Sequence, residues 1–321
     1  MPTSMLVGFT GFVGSNIDSC HEFTWRINSK NVETAYGKEP DLLVYAGLRA
    51  EKFLANKEPE ADYRRILEAM EQIKAIAPKR TVLISTVDVY PSPLDVNETS
   101  DISAEILQPY GKNRYLLENM VREYQKDALI VRLPGLFGKN IKKNFIYDYI
   151  HIIPSMLKIE KYQELAAQSD LIAHAYYDLG NGFYKYQGSN STDDIDNINR
   201  MRLKQAFLNV GFSALNFTDS RSVFQYYPLS HLWKDIQIAL SHNICLLNIA
   251  TQPVQTDELY RYLSGQDFCN ECSGVPAYYN YQSVYSEIFG GKNGYLMDKE
   301  EVKKQIKSFI ESEVRDEDIS I

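Results

Sequence analysis

The sequence predicts an α/β protein: a doubly wound parallel sheet with a second, smaller α/β domain. Three observations carry this. Short β-rich runs in the first half are apolar throughout, as strands buried on both faces must be. Segments with helical apolar spacing lie between several of them, which fits parallel strands joined by crossovers. A glycine-rich turn joins the first strand to the first helix.

The strands fall at Met5–Val7, Phe23–Ile27, Leu42–Tyr45, Val82–Ile84 and Leu129–Leu133. Too few residues separate the second and third for a full crossover helix, so the helix there must be short or absent. From Tyr63 the apolar set is Tyr63, Ile66, Leu67, Met70, Ile73, Ile76 and Ala77, one face of a helix. A later helix carries Tyr115, Leu116, Met120 and Tyr124. Lys158 to Arg221 is irregular, with Gly180-Asn181-Gly182 and Gly188-Ser189-Asn190-Ser191, and reads as an insertion with one helix near Ile198–Val210. Another strand spans Ile244–Ile249. The last helix opens with Asp298 and Glu301, a capping-box-like pair, and would bury Val302, Ile306, Phe309, Ile310 and Val314.

A length of 321 residues suits about two domains. The expected division is 1–139 with 222–255 for dinucleotide binding, and 140–221 with 256–321 for substrate. With 34 Lys and Arg against 42 Asp and Glu, the net charge is −8, which argues against nucleic acid or an anionic membrane as partner. No apolar run approaches the ~18 residues of a membrane span. The start lacks a secretory signal's pattern. Four Cys are too few for a disulfide scaffold. These features lead us to expect a soluble cytoplasmic protein.

Gly8-Phe9-Thr10-Gly11-Phe12-Val13-Gly14 follows the first strand and opens a helix near Phe12. Glycines let the backbone turn tightly and approach a pyrophosphate, while a helix N-terminus offers free N–H donors. At the tip of the second strand an acid would hold ribose hydroxyls. Here the tip reads Asn28-Ser29-Lys30, which suits a 2′-phosphate, so NADP is expected, with NAD the alternative. Farther on, Ser85-Thr86 ends a strand and Tyr110 opens a helix, with Arg114 one turn later. A phenol near a strand-end hydroxyl can act as acid/base, and it needs a nearby cation to ionise.

With the loop, Ser85-Thr86, Val89-Tyr90 and Tyr110 in this order, the chain resembles the extended short-chain dehydrogenase/reductase family of Rossmann proteins. That family includes nucleotide-sugar epimerases and dehydratases. The resemblance is clear to about residue 150, fainter at Phe224–Leu232 and Leu247-Asn248-Ile249-Ala250, and absent from the insertion. It implies a nicotinamide cofactor, Tyr110 as acid/base, Thr86 orienting the substrate oxygen, and Arg114 in the place of the family's lysine. It also implies cofactor contacts at Ala46, Gly47, Leu48, Leu133, Pro134 and Gly135, and substrate contacts at Arg49, Thr86 and Asn144. A homodimer through helices near Glu60–Ala77 and Asn113–Tyr124 is implied as well.

Three positions depart from the pattern. Arg114 keeps the lysine's charge but does not release a proton. Val87-Asp88 replaces the dehydratase branch's acid pair, leaving Asp88 as a proton-abstracting base or a polar strand-end residue. Phe224-Gln225 stands where many nucleotide-sugar enzymes carry an Arg before an Asp, and Arg221 is out of register. Cys269-Asn270-Glu271-Cys272 lacks a second pair, the five His form no helical pair, and Asp193-Asp194 with Asp196 lacks a calcium loop's glycine and terminal Glu. No metal is expected. The expected function is NADP(H)-dependent oxidoreduction or epimerisation of a sugar or nucleotide-sugar. The competing reading is a non-catalytic dinucleotide-binding regulatory module.

Overall fold

The computed structural model describes residues 2–188 and 194–319. Ser189-Asn190-Ser191 and Asp193 of the acidic cluster lie outside the described residues, as do the side chains of Asp194, Asp196 and Val314. The chain divides into two compact units. One comprises Met1–Ile141, Val223–Val254 and Tyr278–Lys303; the other comprises Lys142–Ser222, Gln255–Ala277 and Lys304–Ile321.

The first unit holds β1 (Ser4–Val7), α1 (Phe12–Asp18), β2 (Trp25–Ile27), β3 (Leu42–Tyr45), α2 (Lys52–Lys57), α3 (Pro59–Ile76), β4 (Thr81–Thr86), α4 (Pro109–Tyr124) and β5 (Leu129–Leu133). The strand Leu246–Asn248 completes a six-stranded sheet, which runs β2-β1-β3-β4-β5 and then Leu246–Asn248. All its pairings are parallel. The chain therefore leaves β1 outward to β2 and returns on the other side as β3, which puts a topological switch point beside β1. Ligands of open α/β sheets bind outside the carboxyl ends of strands at such points. The β2–β3 connection holds only the 3-10 turn Val32–Ala35, as its length required.

Apolar strands with helices on both faces give two cores. Leu6, Val44, Val82 and Val131 pack on one side with Ile17 and the helix Leu232–Ser241. Met5, Leu43, Leu83 and Ile130 pack on the other with Ile66, Met70 and Ile73 of α3 and Leu117 and Val121 of α4. Proline at its first position starts α3, and Ala77 ends it in the left-handed conformation, outside the helix.

Two expectations need correcting. The buried face of α4 runs through Tyr110, Asn113, Arg114, Leu117, Glu118 and Val121, whereas Tyr115, Leu116 and Met120 are half-buried and Tyr124 is exposed. That face carries polar residues, which pair inside the protein, so apolar spacing misplaced it. Residues 278–303, expected with the second domain, belong to the first unit. Glu98 helps hold them there, accepting from Ser283 Oγ at 2.6 Å and Val284 N at 2.9 Å.

In the second unit, Phe183–Tyr186 lies between Met156–Lys158 and Tyr176–Asp178 in an antiparallel sheet. Its core joins Leu157, Leu165, Ile172 and Tyr176 to Leu203 and Phe207 of the helix Asp194–Asn209. Among the described residues no helix is long and apolar enough to cross a membrane.

Candidate active site

The carboxyl ends of β1, β3, β4 and β5 gather most of the residues that the sequence singled out. Gly8 follows β1 with φ +92°, and its N–H donates to the Ile27 carbonyl at 2.7 Å, so the loop and the tip of β2 adjoin. A Cβ on Gly8 would collide with the Ala46 carbonyl, and one on Gly14 with the Gly8 carbonyl. The turn is therefore open to backbone alone. Gly11 precedes α1 without a side-chain cap, and no acid occupies the helix's first turn. The N–H groups of that turn and the positive end of the helix are what a pyrophosphate needs, so the loop fits a dinucleotide. Thr10 and Gly11 are exposed, and Phe12 and Val13 are half-buried.

Ala46, Gly47 and Leu48 follow β3, with Ala46 N–H donating to the Val7 carbonyl at 2.9 Å. Past β2, Lys30 N–H donates to Asn28 Oδ1 at 2.9 Å. Ser29 and Lys30 are exposed, and Lys30 makes no ion pair among the described residues. Leu133 lies in register with Thr86 on the neighbouring strand, and Pro134 and Gly135 continue from it.

Thr86, Asp88, Tyr110 and Arg114 come together. Thr86 ends β4, and its hydroxyl accepts from Asp88 N–H at 3.2 Å, capping the 3-10 turn Val87–Val89. Its neighbour Ser85 is buried and donates to Glu118 at 2.6 Å, so Thr86 is the hydroxyl of this pair that remains beside the phenol. Gly111 lets α4 touch that turn: a Cβ there would collide with the Asp88 carbonyl. Tyr110 is buried. Burial pushes its pKa above the usual value for a phenol. Arg114 and the Thr86 hydroxyl pull it down, Asp88 pushes it up, and Lys52 lowers it. Arg114 lies over the Tyr110 ring, 4.6 Å from its centre.

The Arg114 guanidinium is already committed. Nη1 and Nη2 donate to the two Asp62 oxygens at 2.9 and 3.1 Å, and Nη2 also donates to the Arg49 carbonyl at 2.9 Å. Asn113 adds a donor to Asp62 at 2.9 Å. Arg49 enters this cluster through its backbone, while its side chain is exposed and lies 3.9 Å from Glu51. Asp88 carries an ion pair too, with Lys52 Nζ at 2.7 Å. Asn144 lies in the second unit, where its side chain caps the helix Phe145–His151 by accepting from Ile146 N–H at 3.0 Å and Tyr147 N–H at 3.2 Å.

Sequence reasoning missed Lys52, Asp62 and Tyr279, the last a half-buried tyrosine whose hydroxyl interacts with Lys52 and Asp88. Asp62 carried a readable trace, an acid in the first turn of a helix opened by Pro59. A lysine on an exposed short helix and a tyrosine far along the chain carry none.

The model of the NAD-dependent epimerase/dehydratase family matches residues 18–172 of this chain. No curated protein sequence matches it. Solved structures resemble it over nearly their whole length. A UDP-N-acetylglucosamine 4-epimerase from Methanobrevibacter ruminantium, in complex with UDP-N-acetylmuramic acid, has a TM-score of 0.63 at 11% identity, covering 98% of this chain and 99% of that one. RMD from Pseudomonas aeruginosa, complexed with NADPH, has a TM-score of 0.61 at 13% identity, covering 96% and 98%. A dTDP-4-dehydrorhamnose reductase from Yersinia enterocolitica gives 0.61 at 13% identity, covering 97% and 99%. At these identities the likeness is one of fold. The family model covers just under half of the chain, and the solved structures share its fold.

Proposed function

We propose that this chain is an NADP(H)-dependent oxidoreductase or epimerase acting on a sugar, most naturally one linked to a nucleotide. The observation that supports it best is the buried Tyr110 hydroxyl, set beside Thr86 at the carboxyl end of β4, with a guanidinium over its ring. The structural neighbours' nucleotide-sugar ligand and substrates, and the bound NADPH, point the same way.

A nicotinamide held above the Gly8–Gly14 loop would supply the hydride chemistry that interconverts a carbinol and a ketone. The chain's own residues do the rest. Thr86 orients the reacting oxygen, and Tyr110 Oη takes or returns its proton. Arg114 and Thr86 favour the ionised phenol, while burial and Asp88 keep it protonated. A helix pair formed by α3 and α4 in two copies is part of the same reading.

Tyr110→Phe tests the reading, because it preserves the ring and removes the proton-transfer group. Across a panel of UDP- and dTDP-sugars with added NADP(H), turnover should fall by about 10²–10⁴-fold with cofactor affinity intact. Unchanged turnover would remove Tyr110 from the chemistry. Cofactor preference is tested separately. Lys30→Ala should lower the NADPH-to-NADH affinity ratio about tenfold, the scale of a charge-assisted phosphate contact. An unchanged ratio means that the 2′-phosphate is not read there.

One observation favours the regulatory module. Three Arg114 contacts go to Asp62 and the Arg49 carbonyl, an arrangement that a purely structural residue would also show. Binding of NADPH without turnover of any sugar nucleotide would select that reading.

A further inference from the structure

Two cations flank Tyr110, and they differ in what they can do. Arg114 lies over the ring, buried, and is locked to Asp62 through both carboxylate oxygens. An arginine at such a site keeps its proton, and its place is set by the α3–α4 contact. Lys52, on α2, acts on the phenol through its charge. It is half-exposed and joined to Asp88 at 2.7 Å, and it interacts with the Tyr279 hydroxyl. Its pKa is raised: burial lowers it, but the Asp88 carboxylate outweighs burial, so it is charged at neutral pH.

The placement of Lys52 is built into the fold. Lys52 and Asn56 stand four residues apart on α2 and so share a face. Asn56 Oδ1 accepts from Tyr110 N–H at 2.9 Å, which ties that face to the first turn of α4. From the other side, the Gly111 contact presses α4 onto the turn that carries Asp88. Lys52 and Asp88 are thus each anchored to the peptide that bears or follows Tyr110.

We propose that the Lys52–Asp88 ion pair is an electrostatic clamp on the Tyr110 hydroxyl, its ammonium and carboxylate acting on the phenol with opposite sign. This rests on the reading of Tyr110 as the proton-transferring group. The groups facing Tyr110 are Arg114 from its own helix, Lys52 from α2, Asp88 from the turn and Thr86 from β4. The groups facing Asp88 include Lys52, Tyr279 and the buried Tyr281. Lys52 and Asp88 are positioning residues here: they act through Tyr110. Since the two charges oppose one another, removing one exposes the phenol to the other. A structural role for the pair would not produce responses of opposite direction.

The test is a titration of the full chain labelled with tyrosine bearing 13C at Cζ, with the Tyr110 resonance identified by its loss in Tyr110→Phe. Asp88→Asn should lower the Tyr110 midpoint by about one pH unit, as expected for loss of a like charge close by. Lys52→Met should raise it, or carry it above the accessible range. Lys52→Arg should restore the wild-type curve, and the double variant Lys52→Met/Asp88→Asn should lie between the single variants. Shifts of the same direction in both single variants, or none in either, overturn the clamp. So does a Tyr110 resonance that stays protonated at every accessible pH even in Asp88→Asn. No cofactor or sugar enters this measurement. Opposite shifts without sugar turnover would leave the clamp standing and sink the proposed function; turnover without the shifts would do the reverse.

Discussion

Asp62 of the first unit and Asp148 of the second are both helix carboxylates drawn out of water, and the protein treats them oppositely. Asp62 is met by the Arg114 guanidinium through two bonds and by the Asn113 amide. Asp148 is pushed up to about 7, and burial is the only cause. A buried charge is tolerated when paired and hydrogen-bonded, and is otherwise neutralised. Asp62 and the Arg114 guanidinium therefore hold each other in place, while Asp148, which makes no ion pair among the described residues, is raised toward neutral pH by burial. The first arrangement suits a scaffold that must keep a phenol and a cation aligned. The second makes the stability of its unit depend on pH.

The sharpest way to break this contrast is to remove charge from the paired side. Asp62→Asn keeps the size of the side chain and leaves the Arg114 guanidinium buried without its counter-ion. Stripping one partner from a buried ion pair costs about 3–5 kcal/mol. A denaturant midpoint or Tm unchanged by Asp62→Asn would show that Arg114 finds another acceptor or water. The pairing would then not be what fixes it over the Tyr110 ring.

The two carboxylates were also unequally legible in the sequence. Strand runs such as Leu42–Tyr45 and Leu129–Leu133, and the glycine turn at Gly8, are local signals: apolar continuity and backbone freedom are decided within a few residues. Thr86 and Tyr110 were readable because each stands at the end or start of such an element. The partners of Tyr110 and Arg114 were not. Asp62 lies 52 residues from Arg114, and Tyr279 lies nearly two hundred residues from Asp88. Only the packing of α3 on α4, and the return of residues 278–303 to the first unit, creates these pairs. The same cause misplaced the buried face of α4, where Arg114 and Glu118 are buried because Asp62 and Arg132 meet them. For Asp148 the difficulty was different: nothing in a Tyr-Asp-Tyr triplet reveals that burial would come without a cation.

The smaller effect comes from Asp148, and its sign follows from linkage. The folded value of about 7 stands above the ordinary 3.8 of an aspartate, so between those values the native state binds more protons than the unfolded chain. Stability should therefore fall as pH rises through this window, with the cost absent near pH 4 and complete above pH 7. A shift of this size corresponds to at most ~4 kcal/mol, and a helix residue that keeps some contact with water should realise about 1–2 kcal/mol of it. Asp148→Asn removes the charge in both states. It should raise Tm relative to the parent chain at pH 8 and leave it level at pH 4. A gain of equal size at both pH values would trace the effect to packing or helix propensity. A loss at pH 8 would mean that the carboxylate has found a cation there, and the contrast with Asp62 would disappear.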